Sequence, residues 1–467
     1  MANFGDMRGS FLVLLIGLLG LCHRSLADDC TNVTIANAAD AEAVRKSCPV
    51  IQGDLTFMGA ISESINLDGV ETVLGGILHD GACGRTDDEC PHVQPFTISS
   101  STLTTVNQTI DFRYFPGLEK LILPNLTTVN SGLMLRRLHD LTHLDITGLS
   151  YVGWVLLETT SLKTLLLDGL KGFTGTGSNG YVALWDAGQV ESVDGFFKNP
   201  IDPVFYPETS QDSSLSTNAA VIPNIRKITI GWTRIPKLSL SGQNLTVVLG
   251  GPSTKSMEID MFEVGDGVVD LQRSPELKNL TLTTFSMDNN RNMTHLKADF
   301  DQVANFAVYG YPSLRTLELP PQAVNWANLS MRLTQDPSGP LNFSSEYTVD
   351  ASGQKQRTWY WPEKDMREVV VHGNIATDFF QSFLEYRIES KDPSSRPRVL
   401  ETFDIRSDSP RLKLNCSVFD ELQNKTGVLP ANYSCSYKSA AALAQGYVMR
   451  QPWQFGLLAL GLSISFL

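Results

Sequence analysis

Three things are scarce in this 467-residue chain, and each scarcity removes a class of protein. Positive charge is the first: 37 Lys and Arg stand against 50 Asp and Glu, a formal net charge of -13. An acidic chain is a poor partner for nucleic acid or anionic lipid, whose phosphates need clustered cations. Cysteine is the second, with seven residues and no C-x-x-C or Cys/His spacing of the kind that builds a zinc site. The third is the long apolar run. The two most prominent, 11–22 (FLVLLIGLLGLC) and 453–467 (WQFGLLALGLSISFL), are both shorter than the roughly 20 residues of a membrane-spanning helix. Catalytic signatures are absent too: there is no G-x-S-x-G elbow, and His139 and His143 lack the Glu of a metalloprotease helix.

The two short apolar runs have another use. Arg8, the run 11–22 and the small residues of Ser25-Leu26-Ala27 make a secretory signal, expected to be cut after Ala27. The C-terminal run has no basic anchor after it. The small cluster Ser439-Ala440-Ala441-Ala442 and the spacer LAQGYVMRQP precede it, the arrangement that directs glycosylphosphatidylinositol (GPI) attachment. Ser439 or Ala440 is the expected attachment residue, with 438–452 as site and spacer and 453–467 removed.

Cys22 leaves with the signal, so Cys30, Cys48, Cys83, Cys90, Cys416 and Cys435 remain. Six cysteines in a secreted chain allow fifteen pairings. Four sit early and two sit late, which favours the nearest-neighbour pairs Cys30–Cys48, Cys83–Cys90 and Cys416–Cys435. Asn-x-Ser/Thr sequons occur at Asn32, Asn107, Asn125, Asn244, Asn279, Asn292, Asn328, Asn342, Asn415, Asn424 and Asn432. Of 24 asparagines, about four would match by chance, so eleven matches predict a heavily glycosylated surface.

What the chain has in abundance is a repeat. Leu118-x-x-Leu121-x-Leu123-x-x-Leu126-x-x-Val129 recurs as Leu141, Leu144, Ile146, Leu149, Val152 and as Leu162, Leu165, Leu167, Leu170, Phe173, at steps of 23 and 21 residues. Partial copies begin at Leu67, Ile225, Leu277 and Leu314. Such a period marks a solenoid, in which each L-x-L triplet is a short strand with its leucines inward. A leucine-rich repeat places Asn or Cys at position 9 and Leu at position 11; here those positions hold Leu126, Leu149, Leu170 and Thr128, Tyr151, Gly172. The expected fold is therefore mainly β, a right-handed β-helix or leucine-rich-like solenoid with coils of ~20–24 residues and disulfide-capped ends. A short helix over 37–47 (NAADAEAVRKS), capped by Asn37, would cover the first coil.

The expected organisation is a signal over 1–27, a first solenoid half over 28–198, and an insertion or hinge over 199–223. A second half follows over 224–437, with an insertion at 336–365 and a disulfide cap at 416–435.

The stretches TIANAADAEAVRKSCPVIQGDLTF, LDGVETVLGGIL, LPNLTTV, LDITGLSYV and LKLNCSVFDELQ with NYSCSYKS resemble the fungal GPI-anchored cell-wall organisation proteins. That family is related to receptor L domains and to yeast sporulation-specific wall proteins. The resemblance covers about 30–180 and 400–437 and implies a surface glycoprotein supporting wall integrity and morphogenesis. It implies residence on the outer face of the plasma membrane or in the wall, with cell-wall polysaccharides or mannoproteins as partners. This chain lacks the long Ser/Thr-rich stalk of many such proteins, which favours retention at the membrane.

Enzyme chemistry has thin support. Glycosyl transfer needs paired carboxylates, and Asp87-Asp88-Glu89 and Glu258-x-Asp260 qualify by residue type alone. Gly175-x-Gly177-x-x-Gly180 fits a dinucleotide pattern but opens no helix, so it reads as a loop. No catalytic residue, cofactor or metal is expected. Sugar binding would show as aromatic residues on an exposed face, yet positions 3 and 5 of the coils hold Lys120, His143, Thr164 and Ile122, Asp145, Leu166. Trp359-Tyr360-Trp361 is the one dense aromatic cluster, read either as an anchor for the second insertion or as a contact platform. The sequence as a whole points to a non-catalytic, GPI-anchored surface glycoprotein. A receptor-like polysaccharide-binding protein is the first alternative, and a glucan-modifying enzyme the second.

Overall fold

A computed structural model describes residues 30–437, apart from 59–60, 81–93, 175–179, 186–187, 202–214, 219–223, 312, 320–328, 335–340, 350–351, 389–392 and 410. The signal, Cys83, Cys90, the acidic run at Asp87, Asn328, the attachment site and the C-terminal tail all lie outside the described residues.

The chain is a β-solenoid, 46% strand and 11% helix. Each coil contributes a short strand, a corner and a longer strand, and each strand lies parallel to its counterpart one coil later. Leu118–Ile122, His143–Asp145 and Thr164–Leu166 form one such column, with Leu121 opposite Leu144 and Leu144 opposite Leu165. Thr128–Leu138 pairs with Tyr151–Thr160 in the other. The repeat aligned in the sequence is thus the register of the sheet. The inward leucines of the first two complete copies are buried; Leu165 and Leu167 of the third are only partly so. The cause is local: the next layer on that side is a helical turn, not a strand, as described below.

The long strands form a ladder that runs unbroken from Val33–Ile35 to Ser434–Tyr437. Within a long strand the alternation of buried and exposed residues is broken. In Ser256–Val264 it slips once, at Asp260 and Met261, and in Thr128–Leu138 it breaks at Asn130–Ser131, Gly132–Leu133 and Arg136–Arg137. One extra residue turns the strand around the core, so each coil has three sides and its second half presents a new face. The ladder also crosses the 199–223 stretch: Leu215–Asn218 pairs with Val182–Trp185 on one side and Arg234–Ser241 on the other.

Four helices complete the described chain. Helix α1, Ala38–Ser47, starts as expected from Asn37, whose Oδ1 accepts from the Asp40 N–H, and it packs on the first coil. The one-turn α2, Asp194–Phe197, fills the short-strand column between Thr164–Leu166 and Lys227–Ile230. There Leu170 N–H donates to Gly195 O and Thr229 N–H to Asp194 Oδ1. Helix α3, Gln381–Ile388, and α4, Ser417–Thr426, pack together at the C-terminal end.

Cys30–Cys48 ties α1 to the first coil, and Cys416–Cys435 ties α4 to the last strand of the ladder, so two of the expected disulfides sit near the solenoid ends. An end coil has a neighbour on one side only, so a covalent clip there replaces the missing stacking. Replacing Cys416 and Cys435 with Ser should lower stability by about 3 kcal/mol in the chain-entropy picture. A lower denaturant midpoint, with early proteolysis at 434–437, is the expected readout; an unchanged midpoint would show the clip to be idle.

Candidate functional site

The structure first redirects the aromatic reading. Trp359 and Trp361 are 2% and 0% exposed, and Tyr360 is half-buried. Trp361 stacks on Phe380 at 5.1 Å, meets Phe379 and Phe383 edge-on, and donates its indole N–H to Phe379 O at 2.7 Å. As a contact platform the triplet is therefore corrected: two of its three rings are core that pins the insertion. Arg357 sits 4.6 Å over the Tyr360 ring and covers its face.

The remaining sequence candidates scatter. Glu258 and Asp260 are exposed on one long strand, and His143 lies on a short strand beside Lys120 and Thr164. Of the glycine triplet only Gly180 is described; a Cβ there would meet the Phe173 ring at 2.3 Å, so the residue serves packing. Among the described residues no group of three or more His, Cys, Asp or Glu is placed to hold a metal ion. A cleft of about 90 Å³ opens between Thr316–Glu318 and the insertion strand Asn342–Phe343. Small-ligand pockets usually hold roughly 300–1,000 Å³.

What the fold does assemble is a face. The ten described sequon asparagines are all exposed. Asn125 and Asn279 lie where the short strand gives way to the long one, Asn32 and Asn107 just before a ladder strand, and Asn244 and Asn292 where a long strand ends. Asn342 is in the insertion, and Asn415, Asn424 and Asn432 are in the C-terminal cap. None falls on the second half of a long strand. The outer face built from those halves therefore carries no glycan acceptor among the described residues.

Its side chains stack in register. Toward the C-terminal end, Glu368 is 7% exposed and takes hydrogen bonds from Arg332 Nε at 2.8 Å, Arg332 Nη2 at 2.5 Å and Ser330 Oγ at 2.7 Å. Burial alone would raise this carboxyl, but Arg332 and Ser330 outweigh it and hold it below its ordinary value. Beside it His372 Nε2 lies 2.8 Å from Asp404 Oδ2, and that hydrogen bond chiefly lowers the Asp404 carboxyl against the effect of burial. Each carboxylate here is thus hydrogen-bonded by a neighbour on the same face.

In the N-terminal half, rungs 110–113, 132–138, 154–160 and 182–185 make a shallow trough along the solenoid axis. One wall is the stacked pair Trp154 and Tyr181, with centroids 5.5 Å apart and planes 7° from parallel. Trp154 lies down because Gly132 is its neighbour: a Cβ at Gly132 would stand 2.1 Å from the indole. The floor is Met134, Leu156 and Ala183, in register. The other wall is Arg136, Glu158 and Trp185, with Arg136 Nε 2.8 Å from Glu158 Oε2 and Trp185 43% exposed.

Sequence reasoning missed this trough because it looked for aromatics on the short strand. In Tyr151–Thr160 the inward residues Val152 and Val155 stand three apart, so the phase changes by one residue and Trp154 faces outward instead of following Val152 inward. The glycines were the available signal, since Gly132 in a strand marks a place where something lies flat on the backbone.

Comparison of the chain with family models, with curated proteins and with solved structures finds no match.

Proposed function

We propose that this protein is a non-catalytic, GPI-anchored cell-surface glycoprotein that acts as a structural scaffold in fungal cell-wall organisation. The observation that carries the reading is the placement of the sequons: ten exposed acceptors on corners, insertion and cap of a rigid solenoid, with one long face left clear. Random sequons would be spread over all three sides of the coil. The leader over 1–27 and the tail over 453–467 support secretion and anchoring, and the disulfides suit an oxidising compartment. A receptor-like, polysaccharide-binding role is the second reading, favoured by the aromatic trough.

Phosphatidylinositol-specific phospholipase treatment of membranes from expressing cells should release the protein, and peptide N-glycosidase should lower its apparent mass by several glycans. Retention in membranes after a competent lipase treatment, or secretion of free protein, would sink the anchor. An unshifted band after glycosidase would sink the glycoprotein.

A further inference from the structure

We infer that the trough over 110–113, 132–138, 154–160 and 182–185 binds one strand of a neutral polysaccharide lying along the solenoid axis. The inference rests on the extracellular placement proposed above and gives the second reading its site.

Three features select that occupant. The first is shape. Outward residues on one rung, Tyr181, Ala183 and Trp185, alternate large, small, large, so the floor is low exactly between two rings. On the rung below, Trp154 continues the ring of Tyr181, while Leu156 and Glu158 stand opposite Ala183 and Trp185. Walls four residues apart on a strand stand roughly 13 Å apart at the backbone, which suits one chain of sugar rings and excludes a helix with its side chains. Successive rungs advance about 4.8 Å, close to the length of one pyranose ring, so a polymer running along the axis advances about one sugar residue per rung.

The second is surface chemistry. A pyranose shows apolar C–H faces and an equatorial rim of hydroxyls. Trp154, Tyr181 and Trp185 supply aromatic surface for the faces, and Met134 with Leu156 supplies the apolar floor. Glu158 and Arg136 carry planar groups that bond adjacent hydroxyls in pairs. The third is charge. Arg136 is matched by Glu158, Arg113 by Asp111 at 2.7 Å, and Arg137 lies 5.0 Å over the Tyr114 ring, so each cation of the trough has a partner, their excess over Asp111 and Glu158 is a single charge, and the chain as a whole is acidic. An anionic polymer finds no unpartnered cation cluster and a cationic peptide no unpaired acid there.

Glycan placement agrees. None of these four segments contains a sequon, although Asn107 and Asn125 lie on neighbouring corners. Gly132 fits the same purpose: with any side chain there, Trp154 would stand up and close the trough.

The test is affinity electrophoresis of the glycosylated protein released from cells, through gels containing soluble β-1,3-glucan, a soluble β-1,4-glucan, mannan, or anionic pectate. Retardation is expected on at least one neutral polymer and not on pectate. Trp185→Ala, and separately Glu158→Gln, should weaken it at least tenfold with no change in melting temperature, while Leu400→Ala, also exposed but away from the trough, should leave it intact. Migration unchanged by all three neutral polymers, or equal retardation of the wild type and both trough variants, would overturn the proposal. Binding by detergent-extracted protein that phospholipase fails to release would keep the trough and reject only the anchor, so the two readings fail separately.

Discussion

Trp361→Ala should lower the stability of the folded chain by about 3–5 kcal/mol, the cost of deleting a large buried aromatic without collapse of the site. The ring is fully buried among Phe379, Phe380 and Phe383, and its N–H has a partner in Phe379 O. Removing it leaves a cavity and an unpaired carbonyl together. Trp361→Phe should cost less, keeping most of the packing but losing the hydrogen bond. Trp359→Phe should be milder again, because the Trp359 indole N–H has no hydrogen-bond partner among the described residues. Urea unfolding followed by far-ultraviolet circular dichroism gives all three midpoints. A Trp361→Ala midpoint equal to wild type would mean that the ring is outside the core. Because Trp361 is core, binding lost on Trp361→Ala would report a damaged insertion rather than a lost contact.

Most of the fold can be read from the periodicity, because the quantity that a solenoid must satisfy, apolar burial against the next coil, is written into every coil. Leu121 and Leu144 are aligned by eye in the sequence and stand opposite each other in the sheet. Helix α1 was equally legible, since its cap is local. The Trp359–Trp361 segment was not, because whether an aromatic faces core or solvent depends on what folds over it. In this case Phe379 and Phe380, on the turn Thr377–Phe380, and helix α3 do so, from about 20 residues downstream. The trough was hidden for a different reason: between Val152 and Val155 the strand slips by one residue, and a one-residue slip exchanges the two faces. Burial of Arg387 was invisible too. It lies in α3 with its guanidinium 3.8 Å over the Phe383 ring, and burial draws its pKa down to about 9.

Glu346→Ala is expected to cost about 3–5 kcal/mol, the range for removing one partner of a buried pair. Its carboxylate, 1% exposed, accepts from Ser382 N–H at 2.7 Å and Ser382 Oγ at 2.9 Å, and faces Arg357 Nη2 at 3.1 Å. Its own carbonyl accepts from Thr358 N–H at 3.0 Å. One residue thus ties the hairpin Tyr347–Val349 with Lys355–Arg357, the aromatic segment and helix α3 into a single body. Truncation strands the Ser382 N–H and the Arg357 guanidinium at once. Burial raises the Glu346 carboxyl above its ordinary 4.5, against the hydrogen bonds of Ser382 and the charge of Arg357, which lower it. The native state then holds this proton more tightly than the unfolded chain does. Stability from this group is fully present below the unfolded value and is lost as pH rises through the folded one. Glu368 and Asp404 are lowered instead, so their contribution is present above the ordinary carboxylate range and lost in acid. Subtracting a Glu346→Gln variant separates the opposing trends. The neutral amide can keep the Ser382 bonds, so its stability near neutrality should stay close to wild type, and the wild-type advantage should grow as pH is lowered toward 4.5. A difference that is flat with pH, or that shrinks in acid, would show that the buried carboxyl is not raised.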